Sequence, residues 1–405
     1  MKVPTTSRRI PRRMVLQSSM TAAATAGLGG SSSHPVWEQK ETGGQEISLR
    51  DKFFGCIAGC HIGSSMGAAV EGWAYARIEK EYGTLDRLLP YEHYNNGWRR
   101  EPGTTEDGVE RQKLMITAIM EKQDRVNAED IRKAWVDHMN PNAAGLVSEP
   151  FEGTLLAMAK SGIPAADIGK YCDYSGLVSL SRSCHPIGLI NAGDMQGALE
   201  DIRDVGQLYN TANSRGIGWA EVVVVGIAAA TKPNATVDNV LGAIFDHCGK
   251  ADQRFFRDTG VVREIERSLK LTADCPDFRA MRQKFDEVYS GRGLVYSQSY
   301  ANEVVTKAVC VFRMVRGNTW EAVKAAVNMG RDTDCLASVA AGLSGALCGD
   351  ASIPREVLAQ VDRATSLNRH TNSQRTLRET SDGLHGAFQA RLRRMKSYLE
   401  EMGST

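Results

Sequence analysis

The stretch GRDTDCLASVAAGLSGALCG, residues 330–349, combines two features that determine how the rest of the chain is interpreted. Asp332 and Asp334 are separated by one residue on a loop that begins with glycine. The residues after them are mostly alanine, glycine and serine, which predicts a helix whose backbone packs very closely against its neighbours. Carboxylates at the start of a helix either cap its free N–H groups or bind a cation, so the partners of these two aspartates have to be found elsewhere.

Helical periodicity continues through most of the chain from about residue 46 onward. Apolar residues recur at every fourth position near its beginning, at Leu49, Phe53 and Ile57, which places them on one face of a helix. No segment shows the alternation of apolar and polar residues, closed by tight turns, that is typical of a β-hairpin. The sequence therefore predicts an all-α protein that folds as a single domain of many helices.

Residues that are typical of helix ends divide this pattern into separate helices. Gly317 and Gly330 each follow a helical segment and are predicted C-terminal caps. Thr236 and Thr319 each precede a helical segment and are predicted N-caps.

Two less regular stretches are candidates for the surroundings of a site. Segment 55–73 contains five glycines, which predict that its helix breaks and leads into a loop carrying the carboxylate of Glu71. Segment 275–300 contains proline and glycine and is predicted to be irregular. Its end carries four side chains that either line a substrate pocket or belong to an ordinary loop: Tyr296, Ser297, Gln298 and Tyr300.

A second acidic segment, GTTEDGVERQ at residues 103–112, precedes another predicted helix. Taken singly, each acidic segment is explained by capping, since threonine and aspartate satisfy first-turn N–H groups and oppose the helix dipole. Taken together, the two segments supply the several oxygen ligands that a hard divalent cation prefers. The set consists of Thr105, Glu106, Asp107, Asp332 and Asp334. This combination predicts that both acidic loops converge on one metal site.

These segments resemble the motifs of the ADP-ribosylglycohydrolase family, which includes the dinitrogenase reductase-activating glycohydrolases. Residues 63–71 are similar to a G-D-x-x-G-x-x-x-E pattern, residues 105–108 to T-D-D-T, and residues 330–335 to G-G-D-T-D-T. Residues 186–194 resemble the P-I-G segment of the family. The resemblance runs from about residue 49 to residue 349. It implies an orthogonal multi-helix bundle, two divalent ions (Mg²⁺ or Mn²⁺), and hydrolysis of a glycosidic bond at the anomeric carbon of ribose by metal-activated water.

Four of the departures from these motifs are Ser64 in place of aspartate, Glu106 in place of aspartate, Gly108 in place of the closing threonine, and Cys335 in place of the final threonine. A thiol is a poor ligand for Mg²⁺, which is a hard ion that prefers oxygen. Three arrangements are therefore open: a second ion that binds water instead of the missing hydroxyl, a single ion, or a softer metal.

The resemblance and the residue types together predict the roles of individual side chains. The predicted metal ligands are Thr105, Glu106, Asp107, Asp332, Asp334 and Cys335. The predicted catalytic residues are Glu71, Asp107 and Asp332, with Glu71 as the general acid or base of glycoside hydrolysis. The other interpretation of Glu71 is a surface carboxylate that follows a helix. His61 and His185 are interpreted as buried, hydrogen-bonded histidines rather than ligands.

Three functions are compatible with these motifs. The first is an exported, metal-dependent hydrolase of an ADP-ribosyl or related N- or O-glycosidic bond, acting on a small-molecule or protein-linked ribosyl substrate. The second is a glycosidase of the same fold that acts on a nucleoside or another sugar conjugate. The third is a non-catalytic binding relative, which the four carboxylates of the two acidic loops disfavour because buried acids without a counter-charge are costly.

The composition excludes several classes of partner. The chain has 405 residues and a formal net charge of +1, which argues against nucleic acid or an anionic membrane as a partner. It contains no run of roughly 18 apolar residues, the length that a membrane-spanning helix requires. The nine cysteines are scattered without zinc-ligand spacing, so we expect buried, reduced thiols. We expect the protein to be a monomer.

The N-terminal segment differs in composition from the rest of the chain. Residues 12–17, RRMVLQ, resemble the twin-arginine export signal of bacteria, and a stretch of small residues follows them. We therefore expect residues 1–30 to be a signal segment, residues 31–45 a linker, and residues 46–402 the helical domain. The protein would then be periplasmic or extracellular. A disordered basic tail is the alternative interpretation of the same residues.

Overall fold

The computed structural model of the protein describes residues 47–92, 96–149, 151–172, 175–211, 214–249, 260–289 and 297–403. Within these ranges the chain forms nineteen α-helices and one two-stranded ribbon, which confirms the predicted all-α fold. The predicted signal segment and linker, residues 1–45, lie outside the described residues, and so does Tyr296.

The α-helices, numbered in chain order, are α1 (Leu49–Ala68), α2 (Tyr75–Tyr82), α3 (Asp107–Lys122), α4 (Ala128–His138), α5 (Ala144–Ser148), α6 (Phe151–Lys160), α7 (Ala165–Ile168), α8 (Ser179–Ser183), α9 (His185–Ile190), α10 (Met195–Val205), α11 (Arg215–Ala230), α12 (Val237–His247), α13 (Val261–Leu271), α14 (Phe278–Val288), α15 (Ala301–Met314), α16 (Thr319–Val327), α17 (Thr333–Cys348), α18 (Arg355–Leu367) and α19 (Leu377–Gly403). Short 3₁₀ turns lie at Gly169–Tyr171, Gly206–Leu208 and Ser297–Ser299. The ribbon pairs β1 (Tyr91–Glu92) with β2 (Arg99–Arg100) in antiparallel orientation.

Side-chain caps explain where several helices begin. Thr236 caps α12 as predicted, because its hydroxyl accepts a hydrogen bond from the N–H of Asn239 and the side chain of Asn239 accepts one in return. The prediction for Thr319 was wrong, since the preceding residue, Asn318, caps α16. The hydroxyl of Thr319 instead donates to the carbonyl oxygen of Gly349 at 2.7 Å, a tertiary contact that local sequence does not reveal.

Helices α1 and α17 pack with their backbones in contact. The prediction that the glycines of segment 55–73 break the helix was wrong, because α1 is continuous. Four of these glycines recur at every fourth residue and face α17: Gly55, Gly59, Gly63 and Gly67. A methyl group on Gly59 would lie 2.5 Å from the carbonyl oxygen of Ala341, and one on Gly63 would lie 2.6 Å from the backbone of Ala337. These distances leave no room for a side chain, and the close contact offsets the intrinsic helix-destabilising effect of glycine.

The contact between α1 and α17 brings together the loop that follows α1 and the loop that precedes α17. The N–H of Gly72 donates to the carbonyl oxygen of Arg331 at 2.8 Å, and the N–H of Arg331 donates to that of Trp73 at 2.7 Å. Glu71 and Asp332 therefore lie on two loops that are hydrogen-bonded to each other.

The segment predicted to be irregular, 275–300, is helical in its middle part. Helix α14 begins after Asp277, whose side chain accepts a hydrogen bond from the N–H of Ala280. The prediction was wrong here because proline and glycine lie only at the two ends of the segment, outside the helix. The carbonyl oxygen of Ser299 accepts from the N–H of Val178, which fixes the end of the segment beside α8.

Among the described residues, no helix combines the length and apolar character needed to cross a bilayer. All nine cysteines are free thiols, and seven of them are buried.

Candidate functional site

The two acidic loops meet at a buried arginine, Arg182 of α8. Its Nη1 atom lies 3.1 Å from Oε2 of Glu106 and 3.4 Å from Oδ2 of Asp334. Its Nη2 atom forms an ion pair with the carboxylate of Asp107. All four side chains are buried. The structure therefore brings together side chains of both acidic loops, and it does so around a guanidinium group.

Asp332 and Asp334 have different positions at the start of α17. Asp332 is the N-cap, and its Oδ1 accepts a hydrogen bond from the N–H of Cys335 at 3.3 Å. Its other oxygen, Oδ2, and Oδ1 of Asp334 are buried without a hydrogen-bond partner. Ligand atoms of Asp332, Asp334 and Cys335 all lie within 4.8 Å of one another. Capping thus accounts for one oxygen of Asp332 only, and the remaining oxygens form a group that could hold a metal ion.

Glu71 lies beside this group, in a small cleft. The cleft is lined by Ala68, Ala69, Glu71, Gly72, Trp73, Glu92 and Gln298. Burial raises the pKa of Asp332 and of Asp334, and the next largest contribution in both cases is the negative charge of Glu71. Of the side chains at the end of segment 275–300, Gln298 reaches the cleft, whereas Tyr300 pairs through its backbone with Leu177.

The hydroxyl of Thr105 contacts two residues that were not predicted as ligands. It lies 3.4 Å from Oε1 of Glu110 and 3.3 Å from Nζ of Lys113. Lys113 in turn donates to Glu110 at 2.8 Å and to the hydroxyl of Thr371 at 2.8 Å. The described hydrogen bonds of Thr105 therefore belong to a polar network that links α3 to the loop after α18.

A second arginine, Arg111 of α3, pairs with Asp107 and with two carboxylates that the sequence motifs do not indicate, Glu149 and Glu152. Oxygens of Asp107, Glu149 and Glu152 lie within 4.8 Å of one another, which is also close enough to hold a cation. Arg111 forms ion pairs with all three, and its Nη2 atom is 3.0 Å from Oδ2 of Asp107. This group already contains a fixed positive charge.

The pKa values show which carboxylates have a counter-charge. Burial raises the pKa of Glu106 and of Asp334 well above the usual range, and neighbouring carboxylates raise both further. Burial also opposes ionisation of Asp107, but Arg182 and Arg111 together lower its pKa. Asp334 has the weaker compensation of the two aspartates, because its one described ion pair is the 3.4 Å contact with Arg182.

His61 and His185 are buried and hydrogen-bonded, as predicted. Nε2 of His61 lies 2.9 Å from Oε1 of Gln112, and Nε2 of His185 lies 3.1 Å from the carbonyl oxygen of Ser338. Burial is the main cause that lowers the pKa of His61 to about 3 and that of His185 to about 4. Both imidazoles are therefore neutral groups of the interior.

Four residues of this region have no counterpart among the predicted site residues: Ser64, Glu149, Glu152 and Arg182. Ser64 donates to Oε1 of Glu106 at 2.7 Å. One signal in the sequence could have indicated Arg182, because it is the only arginine or lysine in SLSRSCHPIG, residues 179–188, where small and apolar residues predominate. A charged residue in a segment that is predicted to be buried requires a buried counter-charge.

Comparison with known proteins agrees with the predicted family and with the all-α fold. The sequence pattern of the ADP-ribosylglycohydrolase family matches residues 45–392. The chain is 22% identical over 333 residues to the uncharacterised protein YegU of Escherichia coli strain K12, covering 78% of this chain and 94% of YegU. It is 23% identical over 308 residues to an uncharacterised protein of Archaeoglobus fulgidus, covering 74% of this chain and 88% of that protein. A solved structure described as an ADP-ribosylglycohydrolase-related protein complex matches with a TM-score of 0.58 and 14% identity, over 84% of this chain and 98% of its own.

Proposed function

Because this chain belongs to the ADP-ribosylglycohydrolase family, we propose that it is a metal-dependent hydrolase that cleaves a glycosidic bond at the anomeric carbon of ribose. The observation that carries the proposal is the group formed by Asp332 and Asp334, two buried carboxylates with one unpartnered oxygen each. This group lies beside the cleft that contains Glu71. Buried anionic oxygens without donors are costly unless a cation neutralises them.

The residues present fit a hard divalent ion on the side of Asp332 and Asp334. Carboxylate oxygens are the ligands that Mg²⁺ and Mn²⁺ prefer, and the two unpartnered oxygens are of this kind. A divalent ion bound there would supply a Lewis-acidic centre that orients the sugar hydroxyls and favours attack by water.

The chain itself supplies a candidate for proton transfer. Glu71 lies in the cleft, on the loop that is hydrogen-bonded to the loop of Asp332. When the bond between the anomeric carbon and the leaving group breaks, a water molecule has to attack that carbon and lose a proton. Glu71 is the proposed acceptor of this proton, and the same carboxyl group can donate a proton to the leaving group.

Membership of the family is the first guide to the substrate class. We propose an ADP-ribosyl or related ribosyl group, linked through nitrogen or oxygen to a small molecule or a protein. A nucleoside or another sugar conjugate is the second candidate. The observation that favours it is the resemblance of residues 12–17 to an export signal, since protein ADP-ribosylation is mainly intracellular.

A screen of the purified protein tests this proposal. ADP-ribosyl-arginine, ADP-ribosyl-serine, nucleosides and aryl glycosides would be incubated with Mn²⁺ or Mg²⁺, and the released sugar measured by chromatography. We expect hydrolysis of at least one class, abolished by EDTA, and a loss of about 10²- to 10⁴-fold in Glu71→Gln because proton transfer contributes about that much. Glu266→Gln, an exposed carboxylate of α13, is the control and should retain full activity. Hydrolysis that persists in EDTA, or no hydrolysis of any class, would contradict the proposal.

A further inference from the structure

Arg182 lies between the carboxylate groups of the two acidic loops. Its guanidinium contacts Glu106, Asp107 and Asp334, and Nη1 also lies 3.2 Å from Sγ of Cys335. We propose that Arg182 is a built-in cation that takes the place of one divalent ion, so that the site binds a single ion at Asp332 and Asp334. The inference rests on the proposed function only in assuming that the site binds a metal ion.

Three of the four carboxylate oxygens of Glu106 and Asp107 already have partners, so that one is left for a second ion to bind. Oε1 of Glu106 accepts from Ser64 at 2.7 Å, and Oε2 accepts from the N–H of Gly108 at 2.7 Å as well as from Arg182. Oδ2 of Asp107 is paired with Arg182 and Arg111, so that only its Oδ1 is without a partner. One oxygen does not hold a cation that prefers six or so oxygen ligands, and the guanidinium would have to move before an ion entered.

The space around Arg182 is specific for its side chain. A methyl group on Gly108 would lie 2.6 Å from Cδ and 2.7 Å from Nε of Arg182. Any residue other than glycine at position 108, including the threonine of the motif pattern, would therefore displace Arg182 from its position. Gly108 is in an ordinary helical conformation within α3, so its backbone does not itself require glycine.

The departures at positions 64, 106, 108 and 335 form one connected set in the structure, whereas Arg331, which replaces a glycine of the motif, pairs with Glu303. Glu106 and Cys335 contact the guanidinium, Gly108 makes room for its stem, and Ser64 donates to Glu106. The thiol of Cys335 is thereby explained as a weak hydrogen-bond acceptor beside a cation, not as a metal ligand.

The changes in charge that accompany the loss of one ion also cancel one another. Removing one divalent ion takes away two positive charges, and Arg182 restores one of them. Serine in place of aspartate at position 64 removes one negative charge, which offsets the other. Counting these three changes alone, the net charge is the same as that of a site with two ions and no arginine.

Metal counting with Mn²⁺ tests the inference independently of catalysis. The purified full-length protein would be equilibrated with Mn²⁺ and freed of excess ion by gel filtration. Manganese per chain would be measured by mass spectrometry, and electron paramagnetic resonance would distinguish an isolated Mn²⁺ from a spin-coupled pair. We expect one ion per chain with the six-line spectrum of isolated Mn²⁺.

Variants at position 182 separate the charge of the arginine from its shape. Arg182→Gln removes the cation and should raise the count from one ion per chain to two, with a coupled spectrum. Arg182→Lys keeps a positive charge and should retain one ion. Arg203→Gln is the control, because this arginine is partly exposed and pairs with Glu221 on another part of the molecule.

Each outcome of these measurements has a definite meaning. Two coupled ions in the wild-type protein, no bound ion, or an unchanged count in folded Arg182→Gln would overturn the inference. If Arg182→Gln does not fold, the wild-type count and the lysine variant still decide, since two ions in either one contradict it. A protein that binds one isolated ion but hydrolyses no glycoside would contradict the proposed function and leave the role of Arg182 supported.

Discussion

At the scale of single residues, Asp332 uses its two oxygens differently. Oδ1 caps α17, whereas Oδ2 is buried without a partner. Asp332→Asn keeps an oxygen for the cap, and asparagine caps helices about as well as aspartate, so the melting temperature should change little. Binding of Mn²⁺ and hydrolysis should be lost, because the amide group is a much poorer ligand than the carboxylate.

The control for this prediction is Asp277→Asn, which changes the N-cap of α14 in the same way without a ligand role. It should leave stability, metal binding and activity unaltered. Normal metal binding and activity in Asp332→Asn would show that this aspartate is a cap only.

Gly108 gives a second prediction at this scale. Glycine to alanine inside a helix normally stabilises by about 0.5–1 kcal/mol, but at position 108 the methyl group would collide with the stem of Arg182. We expect Gly108→Ala to lower the melting temperature, and to be tolerated or stabilising when Arg182→Ala is also present. Gly242→Ala, where nothing lies within 4 Å of the added methyl, is the control in α12. Equal effects at positions 108 and 242 would contradict the packing described here.

The sequence contains the acidic residues of the site in recognisable motifs, but not the cation between them. Arg182 is separated from Asp107 by 75 residues and from Asp334 by 152. No local pattern encodes a contact over such distances, and only the unusual position of an arginine among apolar residues gives a hint of it. The hydrogen bonds of Thr105 could not be predicted for a similar reason, since its neighbour Lys113 is held by the distant Thr371.

At the scale of elements, the face of α1 formed by Gly55, Gly59, Gly63 and Gly67, the glycine face, determines how closely α1 approaches α17. It thereby determines the spacing between the loop of Glu71 and the loop of Asp332. Gly63→Ala should destabilise the protein by about 1–3 kcal/mol or more, because the added methyl would meet the backbone of α17 at 2.6 Å and neither helix can yield without disturbing the other. The matched variant Gly386→Ala in α19 places its methyl in open space and should be neutral or slightly stabilising. Chemical denaturation of both variants measures the difference. Similar stabilities would mean that α1 and α17 are not in backbone contact.

The ends of helices were easier to predict than the other helices against which each helix packs. Thr236 is the cap of α12, and the predicted C-caps Gly317 and Gly330 lie two residues beyond the observed C-caps of α15 and α16, Val315 and Asn328, because these signals are local. The continuity of α1 was missed because glycine destabilises an isolated helix, and the compensating contact comes from α17, almost 300 residues later in the chain.

At the scale of the whole molecule, the two buried histidines make stability depend on pH. His61 and His185 have pKa values of about 3 and about 4 in the folded protein and about 6.5 when unfolded, mainly because of burial; Lys113 and His185 also lower the pKa of His61. The unfolded state then binds more protons below pH 6.5, so each histidine contributes stability above that pH and loses it as the pH falls. The slope approaches about 1.4 kcal/mol per pH unit for each histidine.

A variant isolates this contribution from that of buried carboxylates such as Glu106 and Asp334, whose pKa values are raised by burial. The difference in unfolding free energy between the wild type and His61→Gln, measured by urea denaturation from pH 7 to pH 5, should shrink as the pH is lowered. His247→Gln, at the end of α12, is the matched control for the substitution itself. A constant difference for His61 would mean that folding does not lower the pKa of this imidazole.

Export is a prediction that concerns the whole chain. Residues 12–17 resemble a twin-arginine signal, whose cargo crosses the membrane folded, and the nine free thiols are compatible with folding before export. Replacing both Arg12 and Arg13 by lysine should retain the protein in the cytoplasm, as measured by fractionation of the cells that express it. The periplasmic or extracellular fraction should otherwise contain a chain that begins near residue 31. Unchanged localisation of the double variant would favour the alternative, a basic tail.

The glycine face of α1 also limits which substitutions can reshape the site of this protein. Where helices touch through side chains, exchanging one apolar residue for another shifts them slightly, and a site can be reshaped in small steps. Between α1 and α17 the contacts at four positions are made by backbone atoms, which offer no such intermediate steps. We therefore expect new specificities to arise in the segments that border the cleft from other directions, such as those carrying Glu92 and Gln298, while the helix pair holds the loops of Glu71 and Asp332 together.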